Sequence, residues 1–492
     1  MTVDSILDLH VENSFADLPG VFYSQVPPRP LTAPRLLHAN ADVAALLGLS
    51  EAALDSADFL EVCAGNRSLP GGRTLSAVYS GHQFGVWAGQ LGDGRAHLLG
   101  EVVAPSGKWE LQLKGSGLTP YSRMGDGRAV VRSSVREYLA GEAMAGLGIP
   151  TTRALALVVS DDPVYRETVE TAAIITRVAP SFVRFGSFEH WWNQPENMQV
   201  LLDYAIDHFY PECRMDEAGN RCTPADAALR FLEAVVARTA DLIAAWLTVG
   251  FCHGVMNTDN MSILGLTLDY GPYGFMDGFQ ANHICNHTDT QGRYAWNAQP
   301  SVANWNLHRL ANCLMALGLD PEALKERLAK FEPAFLHAYR TRMAAKLGWG
   351  AWLPGDDTLV DDWWGLLHTQ RADFTLCFRR LSGVWEDAEP FLALFGDRQP
   401  ALDWLEKYRR RLEAESLPDN ARAEGMDRVN PLYVLRNHLA ELAIRAAQKG
   451  DAGEIRTLLS LLRNPYVEQS GFDDYAAPAP EWACSLEVSC SS

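Results

Sequence analysis

From Tyr79 to Arg184 the chain alternates glycine-rich turns with short β-like runs and one clear helix, and from about Asn197 it changes to long apolar-periodic stretches, the strongest at Ala225 to Val249. This switch of period, from two to 3.6 residues, constrains the fold more than any other feature: a small mixed lobe must be followed by a mainly helical one. The length of 492 residues exceeds one ordinary compact domain, so extensions are expected around the two lobes. The expected division is an N-terminal extension at 1–75, a small lobe at 76–195, a helical lobe at 196–345 and a helical C-terminal extension with tail at 346–492.

Within the small lobe the run Trp109-Glu-Leu-Gln-Leu-Lys114 alternates, placing Trp109, Leu111 and Leu113 on one face and Glu110, Gln112 and Lys114 on the other. The following helix is predicted to begin near Ser134, with Glu137 at capping-box spacing, and to stop at Gly148 and Pro150. A short helix is predicted at Asn40 to Leu47, a loop-rich segment at Gly250 to Asn304, helices to about Asn464 and an irregular tail beyond. The proline-bearing segment before residue 75 is expected to wrap on something else.

The balance of 42 basic against 61 acidic side chains, a formal −19, disfavours nucleic acid and anionic membranes as partners. A phosphate ligand must then meet a local basic cluster. No apolar run approaches the roughly 20 residues of a membrane helix, and Met1 to Gly20 lacks the basic start and apolar core of a signal peptide, so a cytoplasmic monomer is the expectation. The nine cysteines form no C-x-x-C pair, which argues against a zinc ribbon.

The residues that can carry chemistry begin at His253-Gly-Val-Met-Asn-Thr-Asp-Asn260, which ends in two adjacent metal-competent side chains, and continue to Asp269, an isolated acid ending a short apolar run. This order resembles kinase-like phosphotransferases, in which a His-Gly-Asp loop precedes a metal-binding Asn and the next strand ends in a second metal-binding Asp. Asn260 and Asp269 take those two positions. Val255 stands where a kinase carries its base, so either no kinase chemistry remains or another carboxylate, Asp259, has taken the task. Two Gly-Asp-Gly-Arg clusters, Gly92 to Arg95 and Gly125 to Arg128, suit phosphate binding through backbone amides and guanidinium groups, with Arg177 and Arg184 completing the cationic set. On the residues alone, the same clusters also fit surface turns, Lys114 and Glu137 a solvated pair, and Asp259-Asn260 an Asx turn. His82 and His253 are expected to be hydrogen-bonded structural residues.

These blocks, together with Asn13-Ser-Phe-Ala-Asp, Tyr79-Ser-Gly-His-Gln-Phe-Gly, Gln112-Leu-Lys-Gly-Ser-Gly-Leu-Thr-Pro-Tyr-Ser-Arg123, Tyr270-Gly-Pro-Tyr-Gly-Phe and the terminal Cys490-Ser-Ser, resemble the selenoprotein O family of protein adenylyltransferases. The resemblance implies an α+β, two-lobed protein-kinase-like fold in which ATP lies reversed, its terminal phosphates buried and its α-phosphate open to attack. It implies nucleotide binding by Gly92, Gly94, Arg95, Lys114, Asp126, Gly127, Arg177, Arg184 and Asp269, a Lys114–Glu137 ion pair, Mg²⁺ or Mn²⁺ on Asn260 and Asp269, and Asp259 as proton acceptor. AMP would pass from ATP to Ser, Thr or Tyr hydroxyls of proteins. UMP transfer from UTP stays open, as do a conventional phosphotransferase and a non-catalytic ATP-binding scaffold. For Cys490 an inert tail thiol and a redox disulfide with Cys285, suggested by position alone, both stay open.

Overall fold

Ten strands form a single antiparallel sheet in the computed structural model, which describes residues 2–486. They are β1 (Val11–Glu12), β2 (Tyr23–Gln25), β3 (Arg35–Ala39), β4 (Leu75–Gln83), β5 (Val86–Gly92), β6 (Ala96–Ala104), β7 (Gly107–Lys114), β8 (Ala129–Val130), β9 (Arg153–Tyr165) and β10 (Val169–Ala179). The path runs β2-β4-β6-β7-β10-β9-β3, with β1 on β6, β5 on β4 and β8 on β10. The partner of the N-terminal segment is thus the sheet itself, to which it contributes β1, β2 and β3.

β7 is central, and both of its faces are covered. Leu111 and Leu113 pack with Val43, Phe59 and Val62 of the N-terminal segment. Glu110, Gln112 and Lys114, on the other face, are buried as well, so the polar half of the alternation does not meet solvent. The cover on that side includes the helix Val131–Gly146. It starts directly after β8 at Val130, which makes no side-chain cap bond, so the predicted capping box at Ser134 does not form. Pairing of β8 with β10 delivers the chain into the helix, and a cap is not what sets its start.

The long helix Pro224–Thr248 has Thr223 as N-cap, its hydroxyl accepting the Asp226 N–H, and Pro224 in the first turn. Phe231, Leu232, Val235, Val236 and Ile243 bury one stripe, and Gly250 at φ +70° ends the run. Between it and the next helix the chain holds only the two-stranded pair β11 (Phe251–Cys252) and β12 (Gly274–Phe275) and 3-10 turns. That next helix, Gln299–Leu314, opens before the predicted Asn304 with Pro300 in its first turn, where proline's missing N–H costs nothing. Helices Asn437–Ala447 and Gly453–Arg463 return to pack on Val131–Gly146, and a separate tryptophan-rich core around Trp363 and Trp404 holds the helices between. Among the described residues no helix is long and apolar enough to cross a membrane.

Candidate active site

Register puts the cations together. Lys114 of β7 faces Ile175 of β10, and Arg177 faces Gln112, so Lys114, Gln112 and Arg177 share one face of the sheet. Glu137, in the second turn of the helix laid over that face, meets Lys114 Nζ at 2.6 Å and Arg177 Nη1 at 3.2 Å. Asp269 then collects three cations: Lys114 Nζ at 3.1 Å, Arg184 Nη1 at 2.7 Å, and Arg177, which donates to the same carboxylate. Burial pushes the Asp269 carboxyl upward, but the charges of Arg177, Lys114 and Arg184 prevail and hold it well below the usual range. Its backbone is left-handed, φ +59°, a conformation an Asp tolerates better than most residues.

Asp259 lies in the 3-10 turn Thr258–Asn260 and is buried. Burial raises its carboxyl to about 6, against the opposing pull of Arg184. One oxygen accepts from Gln83 Nε2 at 3.2 Å, while Oδ1 has no hydrogen-bond partner among the described residues. Asn260 donates through Nδ2 to the Val255 carbonyl at 2.9 Å, so Oδ1 is the atom that can meet a cation. His253 is structural: Val255 N–H donates to its Nδ1 and its Nε2 lies 3.1 Å from the Leu268 carbonyl, tying the loop to the segment that leads to Asp269.

Lys114, Glu137, Arg177, Asp259, Asn260 and Asp269 line one cleft of about 500 Å³, together with Gly92, Gly94, Arg95, Asp126 and Gly127. Arg184 reaches Asp269 from behind this wall and stacks on the Tyr79 ring at 4.7 Å. The glycines have packing duties of their own. A Cβ on Gly92 would sit 2.5 Å from the Tyr121 ring, and one on Gly94 2.8 Å from the Tyr121 carbonyl. Gly127, at φ +73°, would drive a Cβ to 2.2 Å from the Gly117 carbonyl carbon. Asp126 is held by Arg166 at 2.8 Å and accepts the Arg128 N–H, which holds it below the usual carboxylate range.

The model of the family described as protein adenylyltransferase SelO matches residues 5–463. The chain belongs to the SelO family. A Bordetella petrii protein named protein nucleotidyltransferase YdiU is 65% identical over 497 residues, covering 100% of both chains. Proteins of the same name from Ralstonia nicotianae and Dechloromonas aromatica are each 53% identical, over 98% of this chain and 96% and 97% of theirs. SelO membership makes this chain a nucleotidyltransferase.

In and behind the SelO cleft stand residues to which the sequence assigned no role in the site. Gln112 accepts from Arg177, and Asp93, buried between the glycines, accepts from Ala77 N–H at 3.1 Å and Gln112 Nε2 at 3.2 Å. Period-two spacing from Lys114 was a signal for Gln112; nothing local marked Asp93 apart from its turn. Arg123 and Arg166 line the cleft as further cations beside Arg128 of the second Gly-Asp-Gly-Arg cluster. Among the described residues no group of three or more His, Cys, Asp or Glu is placed to hold a metal ion. Cys285 turns inward and donates to the Pro272 carbonyl at 2.8 Å, and burial raises its thiol well above the ordinary range. Cys490, the other half of the suggested redox pair, lies outside the described residues.

Proposed function

We propose that this chain is a protein adenylyltransferase with a two-lobed, kinase-like core, moving AMP from ATP to Ser, Thr or Tyr hydroxyls of proteins. The observation that carries the reading is the gathering of Lys114, Arg177 and Arg184 on Asp269, in the cleft where Asp259, beside Asn260, has no cationic partner in ion-pair contact among the described residues. A nucleotide entering with its β- and γ-phosphates toward the Arg95 and Gly125-Asp-Gly-Arg128 end would meet cations at the group that must leave. Its α-phosphorus would face Asp259 and the acceptor.

In that pose the acceptor hydroxyl loses its proton to Asp259 and its oxygen attacks the α-phosphorus. The bond to the bridging oxygen breaks, and pyrophosphate departs with its charge neutralised by Lys114 and the arginines. A base that titrates near 6 is ionised at neutral pH yet weakly enough acidic to accept a proton, which suits Asp259 and not the strongly paired Asp269. Glu137 fixes the Lys114 ammonium so that it need not reorganise as charge develops. Asn260 Oδ1 and the Asp269 carboxylate are oxygen donors that suit a hard divalent cation, which would displace part of the cation contacts on Asp269, with phosphate oxygens completing the site. Mg²⁺ or Mn²⁺ held there would add positive charge against the phosphates. Val255, which cannot accept a proton, excludes the ordinary kinase base.

ATP labelled at the α- or the γ-phosphate tests the reading directly. Protein should retain the α-label and not the γ-label, with roughly 10²–10⁴-fold loss in Asp259→Asn. Retention of γ-label would identify a phosphotransferase, and retention of neither a scaffold.

A further inference from the structure

Three consecutive residues at the tip of the β4–β5 hairpin donate to three consecutive residues of the loop that carries Asp259. His82 N–H donates to Thr258 Oγ1 at 2.7 Å, Gln83 Nε2 to Asp259 Oδ2 at 3.2 Å, and Phe84 N–H to Asn257 Oδ1 at 3.1 Å. The outer two anchors are themselves fixed. Thr258 donates to the buried Glu189, whose other oxygen lies 2.6 Å from His82 Nδ1. Tyr294 OH donates to Asn257 Oδ1 at 2.6 Å and accepts from Phe84 N–H at 2.9 Å. Phe84 adopts φ +51°, a left-handed conformation unfavourable for an aromatic residue and held by these bonds. Room for the contact is made upstream, where a Cβ on Gly81 would fall 3.0 Å from Asp259 Oδ1.

The middle contact therefore differs from its neighbours: it alone takes hold of the Asp259 carboxylate, and it does so at one oxygen. A single donor at Oδ2 fixes the rotation of the carboxyl, with Oδ1, which is buried and has no partner among the described residues, turned toward Gly81. We infer that Gln83 is a positioning residue for the transfer reaction, aiming Asp259 at the acceptor hydroxyl through a hairpin clamped to the loop on either side. This rests on the reading of Asp259 as the proton acceptor.

The test uses the full chain with ATP, Mg²⁺ and dephosphorylated casein as hydroxyl acceptor, following α-label transfer and the ATP-induced rise in Tm. Gln83→Met, which keeps length and removes the donor, should lower kcat roughly tenfold to a hundredfold, with the KM for ATP and the ATP-induced Tm rise unchanged. In the Asp259→Asn background the same substitution should cost nothing further, because a residue acting through Asp259 has nothing left to aim. Wild-type kcat in Gln83→Met, or losses that multiply in the double variant, would overturn the inference while leaving the base assignment intact. An Asp259→Asn variant as fast as wild type would remove the base assignment and Gln83's role with it. Should Gln83→Met fail to fold, Gln83→Glu keeps the shape, replaces the donor by an acceptor and is held to the same outcomes.

Discussion

Asp269 is at the centre of the site's charge balance. Three cations converge on it, and none of Lys114, Arg177 or Arg184 has substantial access to water. Replacing it by Asn leaves Lys114 and Arg177 to Glu137 and removes the carboxylate that Arg184 pairs with, and breaking a buried pair of this kind costs about 3–5 kcal/mol. Asp269→Asn should therefore melt several degrees below wild type in differential scanning fluorimetry. Added pyrophosphate, which returns negative charge to the cations, should recover part of the loss. Far from the cleft, Lys346 is buried beside Asn430 Oδ1 at 2.8 Å, and burial lowers its ammonium from 10.5 to about 7. The unfolded chain binds the proton that the folded chain has lost between those values, so this residue makes stability rise with pH from about 7 toward 10.5. Its slope is at most about 1.4 kcal/mol per pH unit. Melting curves of wild type and Lys346→Met between pH 7 and 9 should converge or cross as pH rises, the wild type gaining more.

Elements meet the site through turns that admit only certain residues. The loop from Gly115 to Arg128 closes on itself where Gly117 N–H donates to the Gly127 carbonyl at 2.9 Å. Gly127→Ala would pay both the left-handed backbone cost, about 1–2 kcal/mol, and a clash with the Gly117 backbone. Calorimetric titration with ATP should show affinity reduced about tenfold or more, equivalent to roughly 1.4 kcal/mol. Helix boundaries were largely legible, because capping and propensity are local: Asn40 caps Ala41–Leu46, and Pro224–Thr248 lies within a residue of the apolar-periodic stretch. The start of Val131–Gly146 was not, because a strand partner more than 40 residues downstream determines it.

Across the whole molecule, the C-terminal helices brace the helix that bears Glu137. The Leu462 carbonyl would lie 1.9 Å from any Cβ at Gly146, and Tyr466 OH donates to the Leu147 carbonyl at 3.2 Å. Next to Glu137 in the chain, Arg136 donates to the Tyr273 carbonyl at 2.6 Å and to Asn437 Oδ1 at 3.4 Å, joining this helix to the segment after Asp269 and to the C-terminal helices. Gly146→Val should push the helices apart, lowering Tm and α-label transfer together although the substitution touches no cleft residue. An unchanged transfer rate at a lowered Tm would separate the brace from the site.

By itself the sequence determined what is short-range: the change of period, the caps, the glycine turns, and the residue types at Lys114, Asp259, Asn260 and Asp269 that can act on a phosphate. Tertiary structure decided the rest. Strand alternation separates two faces but does not say what covers them, so the burial of Glu110, Gln112 and Lys114 came only with the helix and loops laid over β7. Gln83 and Asp259, Lys114 and Asp269, and Gly146 and Leu462 are each more than a hundred residues apart in the chain, and such contacts are chosen by packing of the whole, which no local pattern encodes.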